Sequence, residues 1–148
     1  MKIEIRQARK QDFEFIYKMI KQLNGIPEED EQLDRQKLAE IFDDHLEKPS
    51  KFCYVAEISE IAVGFMSFLF DEQLSEMGKV LTLEELVVDE AVRGQGVGTH
   101  LVHYATEFAK KSACEVMQTT TNFRRKETLQ FYEKLGWNKN GYRFGFEL

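Results

Sequence analysis

The chain has 148 residues, 43% of them hydrophobic, with two cysteines and a net charge of −6. That length supports one domain with a sizeable core and leaves no room for a second, so residues 1–148 are read as a single domain. A negative balance speaks against a nucleic-acid partner. No apolar run reaches the length of a membrane span and the charged start MKIEIRQARK lacks a signal-peptide core, so no membrane partner is expected and a cytoplasmic location follows.

In chain order, Ile3 and Ile5 alternate with Lys2, Glu4 and Arg6, the period of a half-buried first strand over 2–8. Asp12 can cap a helix whose apolar positions Phe13, Ile16, Ile20 and Leu23 recur at helical spacing until Asn24 and Gly25 stop it. The acidic run 28–31 reads as a solvated connection. A second amphipathic helix carries Leu38, Ile41, Phe42 and Leu46 and ends at Pro49. Residues 52–58 and 62–70 form two strands around a turn at Ser59 and Glu60, and the second, apolar on both faces, must be central. A polar loop is expected over 71–79.

The most informative stretch is 83–100, LEELVVDEAVRGQGVGTH. A β-branched strand through Leu86, Val87 and Val88 passes an acidic turn, and glycines then stand at 94, 96 and 98 ahead of a helix. Strand, glycine turn and helix N-terminus together aim several backbone N–H groups at one point, where the helix dipole is positive. Such a site takes an anion, usually a phosphate. The spacing is neither a dinucleotide fingerprint, since the sixth position from Gly94 is Thr99, nor a Walker loop, since no lysine lies between Lys79 and Lys110.

The helix after it buries a stripe of Val97, Leu101, Ala105, Phe108 and Ala109, and a strand follows over 114–121. His100 and His103 lack metal-ligand spacing, so no metal is expected. Cys53 and Cys114 lie in apolar segments without CxxC spacing and read as reduced, buried thiols. Leu129, Tyr132 and Leu135 mark a further helix, with Gly136 as a left-handed C-terminal cap. Asn140 and Gly141 suggest a tight hairpin turn, after which Tyr142, Phe144, Phe146 and Leu148 alternate with Arg143, Gly145 and Glu147 as a last antiparallel strand.

The segment closing with Arg93, Gly96 and Gly98 resembles the acyl-CoA signature of the GNAT superfamily of N-acetyltransferases. The stretch ending FYEKLGW resembles its second signature, with Trp137 in place of the usual Phe. The resemblance implies a mixed α/β fold with six to seven mostly antiparallel strands and about four helices, in which the strand opened by Val80 and running through Val88 and the 114–121 strand run parallel and splay apart. It implies acetyl-CoA as co-substrate, its pyrophosphate on Arg93, Gly94, Gln95, Gly96, Val97, Gly98 and Thr99. The pantetheine would lie along the backbone of Leu86, Val87 and Val88, with Asn122 and Tyr132 completing the cofactor contacts.

By the same resemblance Tyr132 protonates the leaving thiolate, and the amide of Val87 or Val88 stabilises the oxyanion. Many members carry a base glutamate where this chain has Thr82, so the base is expected, through water, at Glu84 or Glu85. Alternation along a strand lets only one of the two face the acceptor. The activity implied is acetyl transfer to a primary amine of a small molecule or peptide by direct attack in a ternary complex. The alternative is a non-catalytic acyl-CoA sensor or regulatory domain. A weaker likeness to the aminoalkylphosphonate N-acetyltransferase branch suits a small amine, and a homodimer is compatible with the family.

Overall fold

The computed structural model describes all of residues 1–148. The chain falls into two compact units, Met1–Gln118 and Thr119–Leu148. Five strands form one sheet: β1 (Ile3–Gln7), β2 (Lys51–Ile58), β3 (Ile61–Gln73), β4 (Gly78–Val88) and β5 (Val116–Thr119), in spatial order β1-β2-β3-β4-β5. Four α-helices accompany them: α1 (Phe13–Leu23), α2 (Arg35–Glu47), α3 (Val97–Lys111) and α4 (Lys126–Lys134).

β1 to β4 pair antiparallel in sequence order. Ser59 and Glu60, at φ 51° and 64°, make the tight turn that joins β2 to β3. β5 runs parallel to β4: Glu115 N–H donates to Lys79 O at 2.8 Å and Gln118 Nε2 to Thr82 Oγ1 at 3.0 Å, so the contacts advance together along both strands. This is the mixed sheet anticipated for the fold.

β3 sits in the middle and is buried on both faces, as its unbroken apolar run requires. One face carries Phe65, which joins Val55, Val87, Ile16, Met19 and Phe42 from the α1 and α2 side. The other carries Phe68, stacked on Phe52 at 5.0 Å and Tyr54 at 5.9 Å and met edge-on by Phe108 of α3 at 5.3 Å. Full burial of each such ring is worth roughly 1.5–3 kcal/mol, which makes the β3 side chains the principal stabilising element.

Four expectations need correction. The sheet has five strands, not six to seven. No hairpin forms at Asn140, and 140–148 is not a strand: Tyr142, Phe144, Phe146 and Leu148 are all at least 89% exposed. Residues 137–139 are not a strand either, so a turn at Gly141 would have nothing to fold back upon. The 71–79 loop is instead mostly ribbon, with Asp71↔Val80, Glu72↔Lys79 and Gln73↔Gly78 paired, because a two-stranded extension satisfies the backbone while its polar side chains stay in water. Finally, the Asp12 carboxylate does not cap α1. It accepts two hydrogen bonds of 2.8 Å from the Arg6 guanidinium and one of 2.7 Å from Arg9 N–H. Burial pushes its pKa up, but these bonds outweigh that and hold it below the usual carboxylate range.

In the Thr119–Leu148 unit, α4 ends as the sequence suggests. Gly136 stands at φ 87° and Trp137 N–H donates to Tyr132 O at 3.0 Å, closing a left-handed cap.

Candidate active site

The later half of β4 is distinguished by what lies on each side. Toward β3 it pairs continuously, with Gly64↔Val88, Phe65↔Val87, Met66↔Leu86 and Ser67↔Glu85. Toward β5 it does not. The β5 contacts fall at Lys79 and Thr82 and the strand ends at Thr119, so 84–88 extends beyond its parallel neighbour. With β5 ending there, the backbone of Leu86, Val87 and Val88 has an edge beyond the parallel neighbour onto which an extended, amide-bearing chain can pair.

Beyond Val88 the chain turns sharply. Asp89 N–H donates to Val63 O at 2.8 Å, and the Asp89 carboxylate accepts from Ala91 N–H at 3.2 Å, from Gln22 at 3.4 Å and from Lys18 at 3.5 Å. The C-terminal half of α1 therefore anchors the turn. Arg93 Nε donates to Val88 O at 3.1 Å, which lays the exposed guanidinium across the strand end.

Gly94 and Gly96 follow at φ 80° and 87°, conformations that disfavour any side chain although an added Cβ at Gly94 would meet nothing within 4 Å. Gly96 is the N-cap of α3 and supplies no side-chain acceptor, so the first amides of Val97, Gly98 and Thr99 are left to an external one. An anion at the positive end of α3, continuing into an extended chain beside 86–88, fits this donor set.

The two glutamates before this edge are not equivalent. Between Ser67↔Glu85 and Phe68↔Leu83 the β4 strand carries one extra residue, a β-bulge at Glu84. Glu84 points to solvent, whereas Glu85 is drawn inward on the face shared with Phe65 and Val87. Ser67 Oγ donates to Glu85 Oε1 at 2.8 Å. Burial pushes the Glu85 carboxyl up; the Ser67 hydrogen bond and the charge of His45 pull it back in part, Glu84 adds to the rise, and the net shift is upward. Thr82 is occupied as the acceptor of the Gln118 hydrogen bond.

In the Thr119–Leu148 unit, Tyr132 is 8% exposed and packs against Trp137 at 5.1 Å. Burial pushes its phenol up to about 12, against a smaller opposing effect of a hydrogen bond with Thr119, so it stays protonated at neutral pH. Asn122 Oδ1 accepts from Arg124 N–H at 2.9 Å and builds the turn before α4.

Residues 7–137 match the Acetyltransferase (GNAT) family. The chain belongs to that family. It is 28% identical, over 95% of its length and 88% of the relative's, to an aminoalkylphosphonate N-acetyltransferase of Salmonella typhimurium. Among solved structures, a protein from Bacillus halodurans described as a transcriptional regulator superposes with a TM-score of 0.85 at 28% identity, covering 98% of this chain and all of that one. A putative acetyltransferase from Agrobacterium tumefaciens superposes equally well at 25% identity, covering 98% and 99%.

In this GNAT chain the fold brings Glu85, Leu86, Val87, Val88 and the 93–99 turn into one continuous stretch and turns Glu84 away from it. Sequence reasoning missed two contributors, Ser67 and His45. A lone serine inside the apolar run FMSFLF was the available signal for the first. His45, half-buried on α2 with Nδ1 at 2.9 Å from Ile41 O, carried none. No helix is long and apolar enough to cross a membrane.

Proposed function

We propose that this protein transfers the acetyl group of acetyl-CoA to the primary amine of a small molecule by direct attack, with both substrates bound, and that residues 1–148 act as one N-acetyltransferase domain. The family match supports the last point, since it runs without a break across the boundary at Gln118. The observation that carries the proposal is the open edge of 86–88 running straight into the uncapped amides of 96–99, with one inward glutamate at its start. Acetyl-CoA supplies the activated thioester. The amides of 94–99 and the α3 N-terminus hold its pyrophosphate, Arg93 adds charge at the same end, and Leu86, Val87 and Val88 orient its arm through their backbone groups.

Glu85 is the base. Its upward-shifted carboxyl is better matched to taking a proton from an ammonium group, through water, than a carboxyl in the usual range, and Glu84 points away from the site. Tyr132 is assigned the role of proton donor, on the resemblance of its helix to the second family signature and on the protonated state that its burial enforces. The small-amine acceptor is supported by the named activity of the Salmonella relative.

The test follows thiol release from acetyl-CoA across a panel of aminoalkylphosphonates, polyamines, amino acids and peptides. We expect turnover of a small amine, with a rate that rises as pH passes the raised carboxyl pKa and a rising limb that Glu85→Gln flattens while acetyl-CoA affinity stays within a few-fold. Because Glu85 has a raised pKa in the folded state, its contribution to stability falls as pH climbs from the ordinary carboxylate value through the raised one. Glu85→Gln should therefore raise Tm at neutral pH. Acetyl-CoA binding with no turnover of any amine would favour instead an acyl-CoA sensor, the reading to which the regulator-like structural relative points.

A further inference from the structure

Ser67 is one of three buried polar or charged residues in the protein and lies in the middle of its most apolar strand, 3% exposed. A hydroxyl there is costly unless it is hydrogen-bonded, and the simplest replacement in such a run would be alanine. The Ser67 hydroxyl makes two bonds with the same residue. It accepts from Glu85 N–H at 3.2 Å and donates to Glu85 Oε1 at 2.8 Å.

The first bond belongs to the bulge. The extra residue at Glu84 breaks the regular ladder between Ser67↔Glu85 and Phe68↔Leu83, and Ser67 Oγ takes up the Glu85 amide there. The second bond uses the proton that the hydroxyl still has, and it goes to the carboxylate of the residue whose backbone has just been secured. Backbone and side chain of Glu85 are thus held from one atom, which removes most of the rotamer freedom of a three-torsion side chain.

We propose that Ser67 is a positioning residue for acetyl transfer: its hydroxyl closes the β4 bulge and holds Glu85 Oε1, leaving Oε2 directed to take the proton of the amine. This rests on the assignment of Glu85 as base.

The surroundings agree with that division of labour. Across the sheet, Cys53 on β2, Ser67 on β3 and Glu85 on β4 form a row, since Cys53↔Ser67 and Ser67↔Glu85 are register partners. The Cys53 thiol is buried and pushed up to about 12, first by that burial and then by the nearby carboxylates of Glu85 and Asp12, so it adds no charge to the row. The charges that act on Glu85 are those of Glu84, its solvent-exposed neighbour on the same strand, and of His45 from α2, in opposite directions. Ser67 is the one hydrogen-bonding partner, and its bond favours the ionised form. Ser67→Ala should move the Glu85 titration further upward.

The experiment needs no identified amine for its first arm. The Glu85 carboxyl is followed by side-chain NMR against pH in the wild type and in Ser67→Ala, the resonance being assigned by its absence from Glu85→Gln. We expect a higher titration midpoint in Ser67→Ala; an unchanged midpoint overturns the inference and leaves the base assignment standing.

The second arm uses aminomethylphosphonate, or whichever panel amine turns over fastest. Ser67→Ala should lower kcat about tenfold, move the rising limb to higher pH and leave KM for acetyl-CoA within a few-fold. The same substitution made in Glu85→Gln should cost nothing further, because the group it positions has gone. Equal losses in both backgrounds would show a merely structural serine and overturn the inference. A rising limb that survives Glu85→Gln sinks the base assignment, and the inference with it. Should Ser67→Ala fail to fold, Ser67→Cys, which keeps the shape and weakens the donor, replaces it in both arms, and the same results support or overturn the inference.

Discussion

β4 and the C-terminal tail have similar sequence patterns and opposite fates. Both segments are rich in β-branched or aromatic residues and next to a glycine, but only β4 is a strand. β4 lies between two strands, and Val80, Leu81, Leu83 and Val87 are nearly or wholly buried. The tail alternates more cleanly than β4 does, yet Tyr142, Phe144, Phe146 and Leu148 stand in solvent. A strand is stabilised by its neighbours, through cross-strand pairs and shared burial, and alternation only states which face would be buried if a neighbour were present.

The contrast yields a graded set of expectations. The largest effect belongs to the partner strand that β4 has and the tail lacks. Phe68→Ala removes a fully buried ring from the β3 face that packs on Phe52, Tyr54 and Phe108, and should cost about 3–5 kcal/mol in urea unfolding. A loss below about 1 kcal/mol would mean that this face collapses freely and that β4 is not held as described.

Gly96→Val comes next. A β-branched residue forced to φ 87° should cost about 1–3 kcal/mol, and it should abolish the thermal shift that acetyl-CoA gives the wild type. An undiminished shift would remove the pyrophosphate from the 93–99 turn. Tyr132→Phe then separates a working phenol from a packing ring: kcat should fall at least about tenfold with acetyl-CoA affinity within a few-fold. A wild-type kcat, measured where chemistry limits, would make Tyr132 structural.

The smallest effect is expected in the tail itself. Phe144→Ser combined with Phe146→Ser should change stability by less than about 0.5 kcal/mol, since neither ring is buried. A loss of about 2 kcal/mol or more would show that in solution the tail has found a strand to pair with, and the comparison would collapse.

How much of the site was legible beforehand follows the same logic. The glycine turn could be read because its requirement is local: positive φ at two positions and a helix immediately after. The cap at Gly136 was legible for the same reason. Glu85 against Glu84 was not. Simple alternation says that one of them faces inward, but which one depends on where the bulge falls, and that is settled by pairing with residues 18 positions earlier on β3. Asp12 illustrates the same limit on a smaller scale. Its position suits a helix cap, yet the Arg6 guanidinium, delivered by β1, claims the carboxylate first.

Taken alone, then, the chain's own residues determined the helices, the first five sheet-forming segments, the glycine turn before α3 and the family, all of which follow from interactions between near neighbours or from short motifs. The tertiary structure alone decided the five-strand count, the long β3–β4 ribbon, the inward turn of Glu85 and the role open to Ser67. Register, bulges and sheet edges are properties of pairs of strands, and no single strand's sequence contains its partner.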